Sequence, residues 1–387
     1  MRQLTFIKSR TLAWWDVPEP VLQSPREALI RPFIAARCDG DAFFLRHDFT
    51  RAMRVGAALH VIDDDFKNAR TDVFQGPFPY GHECVAEVVK VGEDVRDHAV
   101  HDVVILPWSV SCGACGRCAH GLTSHCEQRN TQLAAYGFGA AIGGYGGMVS
   151  DLVRVPYADA MLVPVPKTVD PLAVASASDN MPDGYRAVAP QLAARPGAPV
   201  LVVGGAAKSI GLYAAGIAVA LGSARVDYLD TNRERLEMAQ QLGANPIEVK
   251  ASAAWFRNGQ PPLAEGYPIS VDASGTTRGL QFALAALAKG GVCTACAFYL
   301  RQGTPLPLWK MYMKSATLHV GVSHPRAHLP ALLSLIERGA FDPRRVKPLL
   351  GSWDSADRIL LESATKVIVQ RERSAVSPAR VGASQAQ

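Results

Sequence analysis

Cys112, Cys115, Cys118 and Cys126 stand in a C-x2-C-x2-C-x7-C pattern, with Gly113, Gly116 and Gly121 among them. Four thiolates at this spacing surround a zinc ion tetrahedrally, and the small residues let a short loop turn its sulfur atoms inward. A four-sulfur site is closed and leaves no position for a substrate, so structural zinc is expected; an iron centre or free thiols are the competing readings. A second set of ligand types is scattered. Cys38, His82 in Gly81-His82-Glu83, and Asp179 in Ser178-Asp179-Asn180 offer a thiolate, an imidazole and a carboxylate. On one ion they would leave a fourth position for water or an alcohol oxygen. Taken singly, each has an ordinary explanation: a buried small hydrophobe, a hydrogen-bonded histidine, a helix N-cap.

A third constellation is nucleotide-like. An apolar run (Val200 to Val203) meets a small-residue turn (Gly204, Gly205, Ala206, Ala207), then a helical run holding Ser209, Ile210 and Gly211, then a strand ending at Asp230. Glycine and alanine let the backbone approach a pyrophosphate, and amides at the start of the helix face its charge. Asp230, 19 residues after Gly211, stands where a carboxylate binds both ribose hydroxyls and repels a 2′-phosphate, which favours NAD over NADP. The turn is not a strict G-x-G-x-x-G.

These groups need two kinds of frame. Up to about residue 170 the chain predicts short strands (Leu4–Ile7, Glu27–Ala35, Val85–Val91, Val100–Pro107, Ser150–Pro156), with Pro32 suited to an edge strand. Arg51–His60 reads as helical and Asp63-Asp64-Asp65 as a solvated face. From Asp170 alanine-rich helices appear. Helices at Arg233–Leu242 and Gly279–Ala288 then alternate with strands at Pro268–Ala273 and Gly291–Ala297, the rhythm of an open parallel sheet. Helices Leu329–Glu337 and Asp354–Ser363 and strand Lys366–Val369 are expected to pack back on the first unit, and residues after Ser374 to be mobile. The reading is an α/β chain of two domains: 1–179 with 322–387, β-rich, and 180–321, doubly wound.

Composition agrees with an enzyme-sized globular protein: 387 residues, 48% hydrophobic and 19% charged. The net charge of +5 is spread thinly, without a basic block interleaved with aromatics, so no nucleic-acid partner is expected. Ile210–Leu221 is short and holds two glycines, as suits a buried helix rather than a membrane span. With no apolar leader at the first residues and thiols at metal spacing, a cytoplasmic location is expected.

Taken together, the Cys38 motif, Gly81-His82-Glu83, the cysteine lobe, the nucleotide unit, Ser274-Gly275, Gly290-Gly291 and Lys366-Val367-Ile368-Val369 resemble the zinc-dependent medium-chain alcohol dehydrogenase family over nearly the whole chain. The resemblance implies a GroES-like catalytic domain and a Rossmann NAD-binding domain. It implies catalytic zinc on Cys38, His82 and Asp179, with Glu83 a neighbour that ligates in some members and Asp41 steadying the histidine. Gly204, Gly205, Gly211 and Asp230 match its cofactor region. It further implies two zinc ions per chain, hydride transfer between an alcohol and an aldehyde or ketone, and a homodimer or homotetramer built on the nucleotide domains. A medium-chain quinone or enoyl reductase is the first alternative, although that branch generally lacks this zinc signature. A zinc-stabilised nucleotide-binding scaffold without turnover is the second.

Two departures stand out. The family's relay hydroxyl is replaced by Gly40, and a histidine farther along by Phe43, leaving water, Asp39, His47 or another segment to carry the proton. The Cys38 to His82 interval is also about 20 residues longer than is common in the family, either a surface excursion or a lid with Phe43, Phe44, His47 and His60 at the pocket.

Overall fold

The computed structural model describes residues 1–62, 74–128, 133–139, 142–250, 261–301 and 303–373; Asp63-Asp64-Asp65 and the tail after Ser374 lie outside them. In chain order the first strands are β1 (Arg2–Lys8), β2 (Thr11–Asp16), β3 (Ala28–Ala36), β4 (Phe78–Pro79), β5 (Glu83–Val91), β6 (Val103–Leu106), β7 (Val153–Val155) and β8 (Val163–Pro164). Next come β9 (Val200–Val203), β10 (Val226–Asp230), β11 (Asn245–Glu248), β12 (Tyr267–Asp272), β13 (Leu287–Ala295) and β14 (Thr317–Val320). Finally β15 (Pro348–Ser352) and β16 (Lys366–Gln370) return the chain to the first unit.

The larger sheet runs β15-β16-β3-β5-β6-β8, with β7 also on β3, and β1, β2 and β4 form a small sheet of their own. β3 is therefore central, against the edge position expected from Pro32. The reason is local: on the side away from β5, β7 pairs with Ala28 to Ile30 and β16 with Ile34 to Ala36. Pro32 falls in the gap between them, where no ladder bond needs the N–H that proline lacks.

The second sheet has the order β11-β10-β9-β12-β13-β14, all parallel. Counted from β9 this is 3-2-1-4-5-6, so the strand order reverses between β9 and β12 and a crevice opens there at the carboxyl ends. All four residues of β9 are buried, as a strand covered on both faces requires. The Lys208–Ala220 helix packs on it and lies close to the Asn180–Ala194 helix; a Cβ on Gly184 would come 2.9 Å from the Ala214 nitrogen. One apolar cluster joins Phe33, Val85 and Ile105 of the first unit to Val200, Tyr213 and Ile269 of the second, which fixes the two units against each other.

The expected helix at Asp354–Ser363 shrinks to Ala356–Ile359 after a 3-10 turn, and the 291–297 strand begins already at Leu287. Among the described residues no helix is long and apolar enough to cross a membrane.

Candidate metal and cofactor centre

Pairing of β3 with β5 sets Ala36 opposite Glu83, and this register brings Cys38, just past one strand, beside His82, just before the other. Asp179 reaches them from the start of the Asn180–Ala194 helix. The three ligand atoms lie within 4.8 Å of one another. Cys38 Sγ donates to Asp179 Oδ2 at 3.0 Å, and His82 Nε2 faces the same oxygen at 3.5 Å. His82 Nδ1 has no hydrogen-bond partner and faces Asp41 Oδ1 at 3.7 Å, while Tyr80 donates to the other Asp41 oxygen at 2.8 Å.

The charges around the cluster are those of a buried, carboxylate-rich set. Burial pushes the Cys38 thiol well up, and Asp179 and Asp41 push it further. His82 is driven up to about 9: burial works against its charge, but Asp41 and Asp179 prevail. A converging thiol, imidazole and carboxylate with an open side fit zinc in a site that takes a further ligand.

Asp179 holds the N-cap position of that helix, but its side chain makes no capping bond. That role falls to Glu83, whose Oε1 accepts from the Asn180 amide at 3.0 Å while Oε2 pairs with Lys366 Nζ at 2.5 Å. Both side chains are fully buried. Glu83 therefore stands behind the ligand set as its neighbour, locked by a lysine from β16, and is not among the three side chains whose ligand atoms converge.

Sequence reasoning missed Ser323. Its hydroxyl donates to Asp179 Oδ1 at 3.0 Å and accepts from Trp108 Nε1 at 3.1 Å. The Ser323 carbonyl accepts from Ser124 Oγ at 2.6 Å, and the Ser124 amide donates to His324 Nδ1 at 3.1 Å. Ser124 lies two residues before Cys126, so this chain of bonds ties the open site to the sulfur lobe. Nothing in the spacing of Ser323, some 140 residues from Asp179, signals such a contact.

Phe138 stacks on the His82 ring at 4.8 Å, and Phe298 of the nucleotide unit lies 3.5 Å from where a Cβ on Gly40 would be. Of the proposed pocket residues, Phe43 is 41% exposed and meets Phe298 edge-on. Phe44 does not line the cleft: it is buried among Phe6, Phe74, Phe78 and Tyr80. His47 and His60 are exposed, His60 with a left-handed backbone. The long excursion forms helices Asp41–Arg46 and Phe49–Ala58 and then crosses to the nucleotide unit through an Ile62–Arg301 bridge.

The sulfur atoms of Cys112, Cys115, Cys118 and Cys126 also lie within 4.8 Å of one another. Amides point at them, those of Cys118 and Glu127 at Cys115, and draw its thiol down to about 6. Four thiols in such a nest fit a closed zinc site.

In the nucleotide crevice, Gly204 and Gly205 are where close approach demands them. A Cβ on Gly205 would come 2.6 Å from the Ser274 carbonyl, and one on Gly204 2.5 Å from Asp230 Oδ2. Asp230, however, is engaged by its own chain. Arg235 grips both oxygens at 2.6 and 2.7 Å, the Thr231 and Asn232 amides add two bonds to Oδ1, and Tyr228 donates to Oδ2 at 3.0 Å. Five donors already crowd this carboxylate, so a ribose hydroxyl would have to exchange with one of them to make the contact on which the preference for NAD rests. The amides of Ser209 and Ile210, expected to face a pyrophosphate, are also taken: Asp39 Oδ2 accepts from them at 2.6 and 3.1 Å, and Asp39 Oδ1 from the Ser209 hydroxyl at 3.0 Å. These three bonds engage both Asp39 oxygens. The Ala206 amide is held by the Ser274 carbonyl. Sheet, turn and helix are those of a dinucleotide crevice, in which Asp39 holds the amides that a pyrophosphate would use.

Two family models match the chain: an alcohol dehydrogenase GroES-like domain over residues 24–167 and a zinc-binding dehydrogenase domain over residues 209–338. Among similar proteins, a probable zinc-binding alcohol dehydrogenase of Mycobacterium tuberculosis is 26% identical over 84% of this chain and 75% of its own. An L-threonine 3-dehydrogenase of Streptomyces coelicolor is 30% identical over 71% of this chain and 70% of its own. The solved structure of an alcohol dehydrogenase from Thermus sp. ATN1 superposes with a TM-score of 0.78 at 27% identity, covering 96% of this chain and 99% of that one.

Proposed function

The chain belongs to the zinc-dependent medium-chain dehydrogenase family, and we propose that within it the reaction is reversible hydride transfer between an alcohol and its aldehyde or ketone, with a nicotinamide dinucleotide as hydride acceptor. The observation that carries this reading is the convergence of Cys38, His82 and Asp179 within 4.8 Å, an open three-ligand set beside a Rossmann-ordered crevice. When bound, zinc supplies Lewis acidity to the alcohol oxygen and the nicotinamide ring supplies the carbon that takes hydride.

The chain's own residues do the rest. Asp41 sits on the Nδ1 side of His82 and leaves Nε2 turned toward the ligand cluster. Ser323 and Trp108 hold Asp179, and Glu83 with Lys366 holds the helix from which Asp179 projects. Phe43, Phe138 and Phe298 give the mouth apolar walls that suit an alcohol with an apolar substituent and keep water from the reacting carbon. The test is a screen of the zinc-loaded chain with primary, secondary, aromatic and polyol alcohols, each with NAD and with NADP. Formation of reduced nucleotide that stops when zinc is stripped supports the reading; two zinc ions per chain with no turnover of any alcohol sinks it and favours the scaffold.

The same reading carries self-association. β14 is an edge strand, and the neighbouring Leu308–Lys314 helix buries none of its residues, leaving Trp309 71% and Tyr312 76% exposed. A second copy pairing across β14 would cover both. Sedimentation of the wild-type chain against a Trp309→Lys, Tyr312→Lys double variant checks it, with the variant expected to be monomeric.

A further inference from the structure

The start of the Lys208–Ala220 helix already holds an anion, and it is the chain's own. Asp39 comes from the turn after β3 in the other unit and receives two backbone N–H bonds and one hydroxyl bond at the helix N-terminus. A carboxylate there satisfies amides that would otherwise be orphaned and complements the helix dipole. The surroundings are richer in positive charge than one carboxylate needs. Lys208, the first residue of the helix, is held below its ordinary range by burial first and then by Arg46, with Asp39 opposing and Arg37 adding to the effect, while Arg235 is already paired with Asp230. Cations near enough to repel one another around a half-buried crevice suit a ligand with more than one negative charge.

We propose that Asp39 is a displaceable plug of the pyrophosphate cradle: it keeps the Ser209 and Ile210 amides until a dinucleotide takes them, and so sets the affinity for cofactor. The proposal rests on the reading of the chain as a dinucleotide-dependent enzyme. Its position gives the plug a second role. Asp39 directly follows Cys38, and its amide lies 3.1 Å from the Asn180 side chain, which in turn reaches Asp179 Oδ2 at 3.2 Å. Displacing Asp39 thus moves the turn that bears one metal ligand and the amide that contacts another. Cofactor entry and the shape of the open site become one event.

Binding to the zinc-loaded, full-length protein tests this without turnover. NADH, ADP-ribose and adenosine are titrated into wild type, Asp39→Ala and the isosteric Asp39→Asn, with zinc content and circular dichroism confirming that each variant is folded. The expected result is that Asp39→Ala binds NADH and ADP-ribose about tenfold tighter or more, because no bonds have to be exchanged, and that Asp39→Asn binds them tighter by a smaller factor, because its amide oxygen still accepts from the two backbone N–H groups without the charge. Adenosine, which carries no phosphate, should bind all three proteins alike. Unchanged or weaker ADP-ribose binding in both variants would show that Asp39 is only a structural cap and overturn the proposal. So would an equal gain for adenosine. If no protein, wild type included, binds NADH or ADP-ribose, the dinucleotide reading itself fails, an outcome distinct from tight binding that ignores position 39.

Discussion

The sulfur lobe and the open ligand set are both clusters of metal-binding side chains, yet they are made in opposite ways. The lobe draws its four ligands from 15 consecutive residues and orients them with amides of the same loop. The open set draws three ligands from positions 38, 82 and 179 and depends on partners still farther away, Ser323 and Lys366 among them. A loop can fold around an ion on its own terms, whereas a site with a free coordination position has to be held from outside. The price of the open position is dependence on the whole fold.

That contrast can be broken at several points. Cys38→Ser should lower turnover on the order of 10³-fold and remove one of two zinc ions, leaving the other in the lobe. Metal analysis showing both ions lost would mean that the two sites are not independent. Next in size, Lys366→Met strands the buried Glu83 carboxylate and should cost about 3–5 kcal/mol of stability in denaturant unfolding. Adding Glu83→Gln should restore a large part, since the stranded charge rather than the lost pair is the cause. Zinc in the lobe should be indifferent to both changes.

The link between the sites gives a pH test. Burial first, then His125, His328 and Arg186, hold His324 down to about 4, and its neutral Nδ1 accepts from Ser124. Since the folded chain refuses a proton that the unfolded chain accepts at its ordinary value, stability is intact above pH 6.5 and declines as the pH falls from 6.5 to 4. With allowance for partial exposure the loss is about 2 kcal/mol, and His324→Asn should flatten it. An unfolding profile with the same slope in both proteins would place the acid sensitivity elsewhere. The smallest effect is expected from Ser323→Ala, about tenfold in zinc affinity at the open site with Ser323→Thr restoring it, read by competition with a chelator.

The same contrast governs what could be read before the fold was known. The lobe was legible because its spacing is its geometry, and the 3-2-1-4-5-6 sheet because buried strands and helices alternate so regularly. The open set was legible chiefly through resemblance, since 43 residues separate Cys38 from His82 and 96 separate His82 from Asp179. Asp39 and Asp230 have partners that no motif announces, for a common reason. A carboxylate in a binding motif looks free in a sequence, and its donors, Arg235 for one and the Ser209 and Ile210 amides for the other, are a matter of tertiary placement. Pro32 was misplaced because a gap between two short strands on one side of β3 leaves no trace in β3 itself.

The salt link to Lys366 also sets an order of events in synthesis. All three open-site donors, and Glu83 with them, leave the ribosome before residue 366 does. A nascent chain therefore has its thiol, imidazole and carboxylates in hand while the cation that lets Glu83 stay dehydrated has yet to be made. The sulfur lobe can mature during translation, but the open centre must wait for nearly the last strand to be threaded in.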